Sequence, residues 1–181
     1  MKKIITSVFA FLVMNTAFGQ GNFEVGSNVI GVGIGFGNTY NLGYSYGSQS
    51  PAINFQYEHG LWSVGGPGVI SLGGYMAFKN YSDNYSIYST ELSHTVIGVR
   101  GAYHYNGIPS SKFDVYGGLL IGFRIESHSN TEPYFVRNYG GDRLVVDPFV
   151  GGRYYFTDNF AGFGELGTGI GLLSLGIAFK F

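Results

Sequence analysis

Two groups of side chains have the types and spacing for nucleophilic chemistry. His128 and Ser129 are adjacent, with Glu126 and Glu132 close by, and Ser93 precedes His94 with Glu91 three residues before it. A serine becomes a nucleophile when a histidine base and an orienting acid lie within hydrogen-bond reach. Adjacency along the chain does not create that arrangement, and Ser–His pairs are common in exposed loops. No catalytic residue is therefore assigned. His59 and His104 are expected near a rim or among interior polar groups rather than on a metal. The chain has no cysteine, which excludes disulfides, thiolate metal sites and cysteine nucleophiles. Gly31-Val-Gly-Ile-Gly-Phe-Gly37 looks superficially like a phosphate-binding loop, but no helix pattern follows to supply an N-terminus. Alternate glycines on a strand instead leave space for large side chains opposite.

A third group is more informative because it recurs with one spacing. Glu58, Lys79, Arg100, Asp114, Arg124, Asp147, Arg153, Glu165 and Lys180 all fall on the polar face of segments that alternate apolar and polar residues. With five positive and four negative members, the set is nearly balanced. Charges enclosed in a narrow interior are tolerable when they pair, since an unpaired buried charge is costly. The expectation is a lumen charge network that fills the inside of a closed sheet.

The segments that must position this set repeat with period two. The C-terminal one sets Leu173, Leu175, Ile177, Phe179 and Phe181 against Ser174, Gly176, Ala178 and Lys180. Such a strand has one apolar and one small or polar face. Seven further segments precede it: 28–37, 52–62, 69–79, 93–105, 113–125, 144–156 and 160–167. Within 113–125, Phe113, Val115, Leu119, Ile121, Phe123 and Ile125 oppose Asp114, Tyr116, Gly118, Gly122 and Arg124. Eight strands of about ten residues suit a tilted barrel that crosses a bilayer. Connections at 65–68, 106–111 and 157–159 are short, whereas 38–51, 80–92 and 126–143 are expected as long loops. The last connection, 168–171, is short and leaves one rim low. The long segments carry Tyr40, Tyr44, Tyr46, Tyr81, Tyr85, Tyr88, Tyr134 and Tyr139, residues suited to contact with a ligand. Aromatic residues collect at both strand ends: Trp62, Tyr103, Tyr105, Phe113, Tyr154, Phe156, Phe160 and Phe181 near the short turns, and Phe36, Phe78 and Phe123 at the other. Aromatic girdles of this kind mark the two interfaces of a membrane barrel.

Composition agrees. Glycine reaches 31, charged residues are only 12% and aromatic residues 18%, whereas a soluble domain is nearer a quarter charged. At the N-terminus, Lys2 and Lys3 precede the apolar stretch Ile4 to Met14, and Ala17-Phe18-Gly19 offers small residues at −3 and −1 of a cleavage site. This is the pattern of a signal peptide spanning 1–19, leaving one domain, 20–181. Without Lys2 and Lys3, the ten basic residues become eight against eleven acidic, a net of −3. No clustered basic face suits nucleic acid.

Arg153-Tyr-Tyr-Phe-Thr-Asp-Asn-Phe-Ala-Gly-Phe-Gly-Glu-Leu-Gly167, followed by Leu175-Gly-Ile-Ala-Phe-Lys-Phe181, resembles the end of small eight-stranded outer-membrane β-barrel proteins. These are the outer membrane protein A-like or porin-like barrels of Gram-negative bacteria, particularly Bacteroidetes. The resemblance implies an all-β, transmembrane, antiparallel up-and-down barrel exported through the periplasm to the outer membrane. It also implies an assembly signal in the terminal aromatics Phe179 and Phe181, read by the outer-membrane assembly machinery, and no cofactor. The family shares no single activity. Three functions remain open: a structural or surface-binding barrel with a filled lumen, a narrow porin-like channel for small solutes, and a lipid A-modifying enzyme. Bulk from Tyr75, Tyr116, Phe149, Tyr155 and Phe163 argues against a wide pore.

Overall fold

The computed structural model describes residues 23–37, 40, 48–64, 66–85, 88–130 and 143–181, without the side chains of 83–85, 88–91 and 128–130. The expected leader, 1–19, lies outside them. The described chain is all strand and turn: β1 (Asn28–Phe36), β2 (Ser48–Gln49), β3 (Ala52–Ser63), β4 (Gly68–Tyr85), β5 (Tyr88–Tyr105), β6 (Phe113–Asn130), β7 (Arg143–Tyr155), β8 (Phe160–Gly167) and β9 (Leu173–Lys180). Apart from β2, strands that follow one another along the chain pair antiparallel. β1 meets β9 along Val29↔Lys180 to Phe36↔Leu173, which closes an eight-stranded barrel. β2 is an outer appendage, two residues paired with Tyr81 and Ser82 of β4.

The burial pattern is inverted relative to a soluble protein. Arg100, Arg153, Tyr116, His94, His104 and Glu58 are among the largest fully buried side chains. Outside, Ile30, Val32, Ile34, Phe55, Met76, Ile97, Val99, Ile121, Phe123, Val146, Leu175 and Ile177 stand exposed. An exterior this apolar around a charged interior fits lipid as solvent, and closure leaves no unpaired sheet edge within the bilayer. On β4–β6 the outward face turns polar between two adjacent rows. Phe78, Thr95 and Ile125 share one row; the next along the strands is Asn80, Ser93 and Ser127. From Thr95 to Tyr105, ten steps of about 3.3 Å at a tilt of about 40° span about 25 Å, the height of a barrel's apolar band.

Two expectations need correction. Segments 80–92 and 126–143 were expected as long loops, yet Asn80–Tyr85 pair with Tyr88–Ser93, and Glu126–Asn130 pair with Thr90–His94. Where side chains are described, the outward residues of these extensions, Asn80, Ser93 and Ser127, are polar and do not continue the apolar alternation, because they stand beyond the lipid. The extensions make β4, β5 and β6 18 residues long each, against eight for β8 and β9. The second correction is at Leu61, which the alternation of Ile53, Phe55 and Tyr57 places on the apolar face of β3. The register shifts between Gly60 and Trp62, so Leu61 has no ladder partner and Trp62 takes the outward position. One extra residue at a bulge flips the alternation beyond it.

Candidate functional site in the barrel interior

The interior is layered along the barrel axis. At the short-turn end, Phe23, Val29, Val69, Tyr155, Ala161, Phe163 and Ala178 form an apolar floor. Toward the other end, Ala52, Ala77, Val96, Leu120 and Val145 form a second apolar layer, into which Ile170 folds from the β8–β9 turn. Inward glycines make room for this filling. A Cβ on Gly33 would lie 2.8 Å from Cζ of Phe163, and one on Gly31 2.9 Å from Cγ of Gln56.

An ion cluster occupies the middle. Arg100 pairs through Nε with Glu58 at 2.9 Å and through Nη2 with Glu165 at 2.7 Å, and it donates to Gln56. Arg153 pairs through Nη1 with Asp114 at 2.9 Å and through Nη2 with Glu58. The guanidinium of Arg100 lies 4.1 Å from the Phe149 ring centroid, and that of Arg153 lies 4.5 Å from Tyr116. Planar guanidinium groups suit this double duty of forked pairing and ring stacking. Tyr116 also donates from its hydroxyl to Glu165 at 3.3 Å. Five strands are thereby cross-linked through side chains.

Asp114 holds a second partner, and here lies an arrangement that sequence reasoning missed. His104 Nδ1 lies 2.8 Å from Asp114 Oδ1, and its Nε2 lies 3.0 Å from Ser71 Oγ. These are the distances of an activated serine. All three residues are fully buried, however, and Phe23 stacks on the imidazole at 3.8 Å. The line serves as a branch of the ion cluster. No local signal joined Ser71 to His104, because 33 residues separate them and only the β4–β5 register brings them together.

A second charged group sits nearer the long-strand end. Arg124 Nη2 pairs with Glu126 at 2.7 Å, and His94 Nε2 lies 3.5 Å from the same carboxylate. Tyr40 donates to Asp147 and lies under Arg124, whose Cζ is 4.8 Å from its ring centroid. Burial, followed by the neighbouring Asp147 carboxylate, pushes the Tyr40 hydroxyl far above its ordinary value, so it remains a donor. Lys79 donates to the Gly37 carbonyl at 2.6 Å, and Lys180 stands apart at the short-turn end, 5.0 Å from the Tyr155 ring centroid. Between the two charged groups lies a cavity of about 30 Å³, bounded by Tyr40, Tyr75, Arg100, Asp147, Phe149 and Glu165. That volume holds roughly one or two waters.

The structure brings together Glu58, Arg100, Asp114, Arg153 and Glu165 in one cluster, and Arg124 with Asp147 around Tyr40; Lys79 and Lys180 belong to neither. Tyr40 and Tyr81, expected on exposed loops, turn inward, Tyr81 being buried beside His94. Of the other loop tyrosines, Tyr44, Tyr46, Tyr134 and Tyr139 lie outside the described residues. So do Glu132 and the side chains of Glu91, His128 and Ser129. His59 Nδ1 donates a hydrogen bond to Asn28 Oδ1, 2.9 Å away. Among the described residues no group of three His, Cys, Asp or Glu side chains could hold a metal ion. Phe179 and Phe181 stack with centroids 6.4 Å apart, and Phe181 exchanges backbone hydrogen bonds with Asn28.

No protein-family model matches the chain, and no curated protein matches it in sequence. Solved structures do match its fold. The attachment invasion locus protein Ail of Yersinia pestis, crystallised with the heparin analogue sucrose octasulfate, superposes with a TM-score of 0.52 at 12% identity, covering 88% of this chain and 100% of that one. The outer membrane protein OprG from Pseudomonas aeruginosa superposes with a TM-score of 0.56 at 8% identity, covering 89% and 98%. At these identities the likeness is one of fold: a closed eight-stranded antiparallel barrel.

Proposed function

We infer that this chain is an integral barrel of the bacterial outer membrane with a side-chain-filled lumen, serving as an envelope scaffold that presents its long-strand end to the exterior. The observation that carries this reading is the inverted burial, with Arg100, Arg153, Glu58 and Asp114 inside and a belt of exposed aliphatic and aromatic residues outside. No enzymatic role is assigned: among the described residues, the Ser71–His104–Asp114 line in the lumen is closed off. The partners implied are outer-membrane lipid around the belt and the assembly machinery at Phe179 and Phe181. A ligand at the long-strand end is the third. The Tyr, Ser and Asn content of 38–51, 80–92 and 126–143 supports it, as does the sulfated sugar bound to Ail. Membership of the outer membrane protein A-like, Bacteroidetes-type barrels rests on Arg153–Gly167 and Leu175–Phe181.

A second reading, a narrow channel for small solutes, draws on the cavity beside Arg100 and Glu165. Single-channel conductance of the refolded mature protein, alongside heat-modifiable gel migration, separates the two. Folded protein without steady conductance supports the filled scaffold. Conductance that changes on neutralising Arg100 or Glu165 supports the channel. Failure to insert into lipid vesicles would overturn both.

A further inference from the structure

The barrel wall begins at Asn28, yet the residues before it are held in place. Phe23 is fully buried, its ring stacked on His104 with planes 10° apart. Its carbonyl accepts a hydrogen bond from Asn106 Nδ2 at 2.8 Å. Behind it the chain folds into a tight turn. Ser27 N donates to the Glu24 carbonyl at 3.0 Å, and Glu24 N donates to Ser27 Oγ at 2.9 Å. Gly26 has φ 89°, a conformation that favours glycine. Two further bonds tie this turn to the bulge in β3: Gly26 N to the Gly60 carbonyl at 2.8 Å, and Gly60 N to the Ser27 carbonyl at 2.9 Å.

We propose that Phe23–Ser27 is a detachable plug in the short-turn mouth, which controls the access of water to the Ser71–His104–Asp114 branch and the Arg153–Glu58 pairs behind it. The segment belongs to no strand. What holds it is the packing of the Phe23 ring on His104 and in the apolar floor, one hydrogen bond from Asn106, two with Gly60 and one from Asn28 Nδ2 to the Gly26 carbonyl at 3.1 Å, few enough for local opening without loss of the barrel. Gly60 is shaped to receive it: a Cβ there would overlap the Glu24 carbonyl oxygen and lie 3.1 Å from Phe23 Cε1. While the ring is seated, His104 is covered and the cluster stays dry, which strengthens its ion pairs. When the ring leaves, water enters at His104 and weakens them. The short-turn mouth faces the periplasm on the reading given above, so the plug closes the periplasmic side, but the test does not depend on that orientation.

The test is the rate at which diethyl pyrocarbonate modifies His104 in the barrel refolded in detergent, followed by peptide mass spectrometry with half-buried His59 as internal reference. Phe23→Ala removes the ring, and Gly60→Ala displaces the segment while keeping the ring. Asn106→Ala loosens it by a single bond. Each variant is first checked for heat-modifiable migration, and any one that folds decides the matter. The expected result is slow modification of His104 in the wild type and a rise of about tenfold or more in Phe23→Ala and Gly60→Ala, less in Asn106→Ala, with His59 unchanged. Modification of His104 as fast as His59 in the wild type would overturn the proposal. So would a rate unchanged in the folded variants. Because the assay needs only a folded barrel, failure of the membrane or channel readings would leave its outcome readable.

Discussion

Replacing Arg153 by Met tests whether the lumen is held by paired charges or merely filled. Arg153 is buried and bridges two carboxylates, Asp114 at 2.9 Å and Glu58. Met retains much of the volume and removes both pairs. Glu58 keeps Arg100 at 2.9 Å, but Asp114 is left with His104 alone. Removing one partner of a buried pair costs about 3–5 kcal/mol, mostly because the other charge stays behind. With a urea dependence of about 2 kcal/mol per molar, the unfolding midpoint should fall by about 1.5–2.5 M. The assay is urea unfolding of the vesicle-inserted barrel, followed by the fluorescence of Trp62, the sole tryptophan, and by heat-modifiable migration. The double variant Arg153→Met with Asp114→Asn removes the orphaned charge while retaining an acceptor for His104. It should recover roughly half the loss, a coupling within the range of about 0.5–3 kcal/mol seen for contacting residues. A cost below about 1 kcal/mol for Arg153→Met would refute the reasoning. A double variant whose loss equals the sum of the single losses would do the same.

Other outcomes follow from the same geometry. Ile121→Lys, in the middle of the outward apolar band, should cost about 2–4 kcal/mol in vesicles, whereas Ser127→Lys beyond the band should change stability by less than about 1 kcal/mol; equal costs would displace the membrane boundary drawn here. Gly98 and Gly122 face each other across β5 and β6, and a Cβ on Gly98 would lie 2.7 Å from Cα of Gly122. Gly98→Ala should therefore destabilise by about 1–3 kcal/mol through overpacking, read from the urea midpoint. Trp62, at the short-turn girdle, should be quenched by lipids brominated near the headgroup more strongly than by lipids brominated near the chain ends; the reverse order would put it at the wrong depth. Deleting Phe181 should lower the yield of folded barrel in the outer membrane of expressing cells while leaving refolding in detergent unaffected.

The alternation of side chains was legible along the chain because a strand's two faces are a local property. Ile121 and Arg124 take opposite sides of β6 whatever lies beside them, and an eight-stranded closed sheet follows from repeating that pattern with tight turns between. Where the alternation lost its apolar half, as in Asn80–Tyr85 and Tyr88–Ser93, the strands continued unseen, since beyond the lipid nothing requires an apolar outward face. Partners were decided only by the tertiary structure. Glu58 and Arg153 are 95 residues apart, and Tyr40 and Asp147 are 107 apart. Which charges meet depends on register across several strands and on the extra residue at Leu61, neither of which has a local signature. The inward turn of Tyr40, the Ser71–His104–Asp114 line and the seat of Phe23 on His104 belong to that class. A period of two assigns each residue a side, and only closure of the barrel gives it a neighbour.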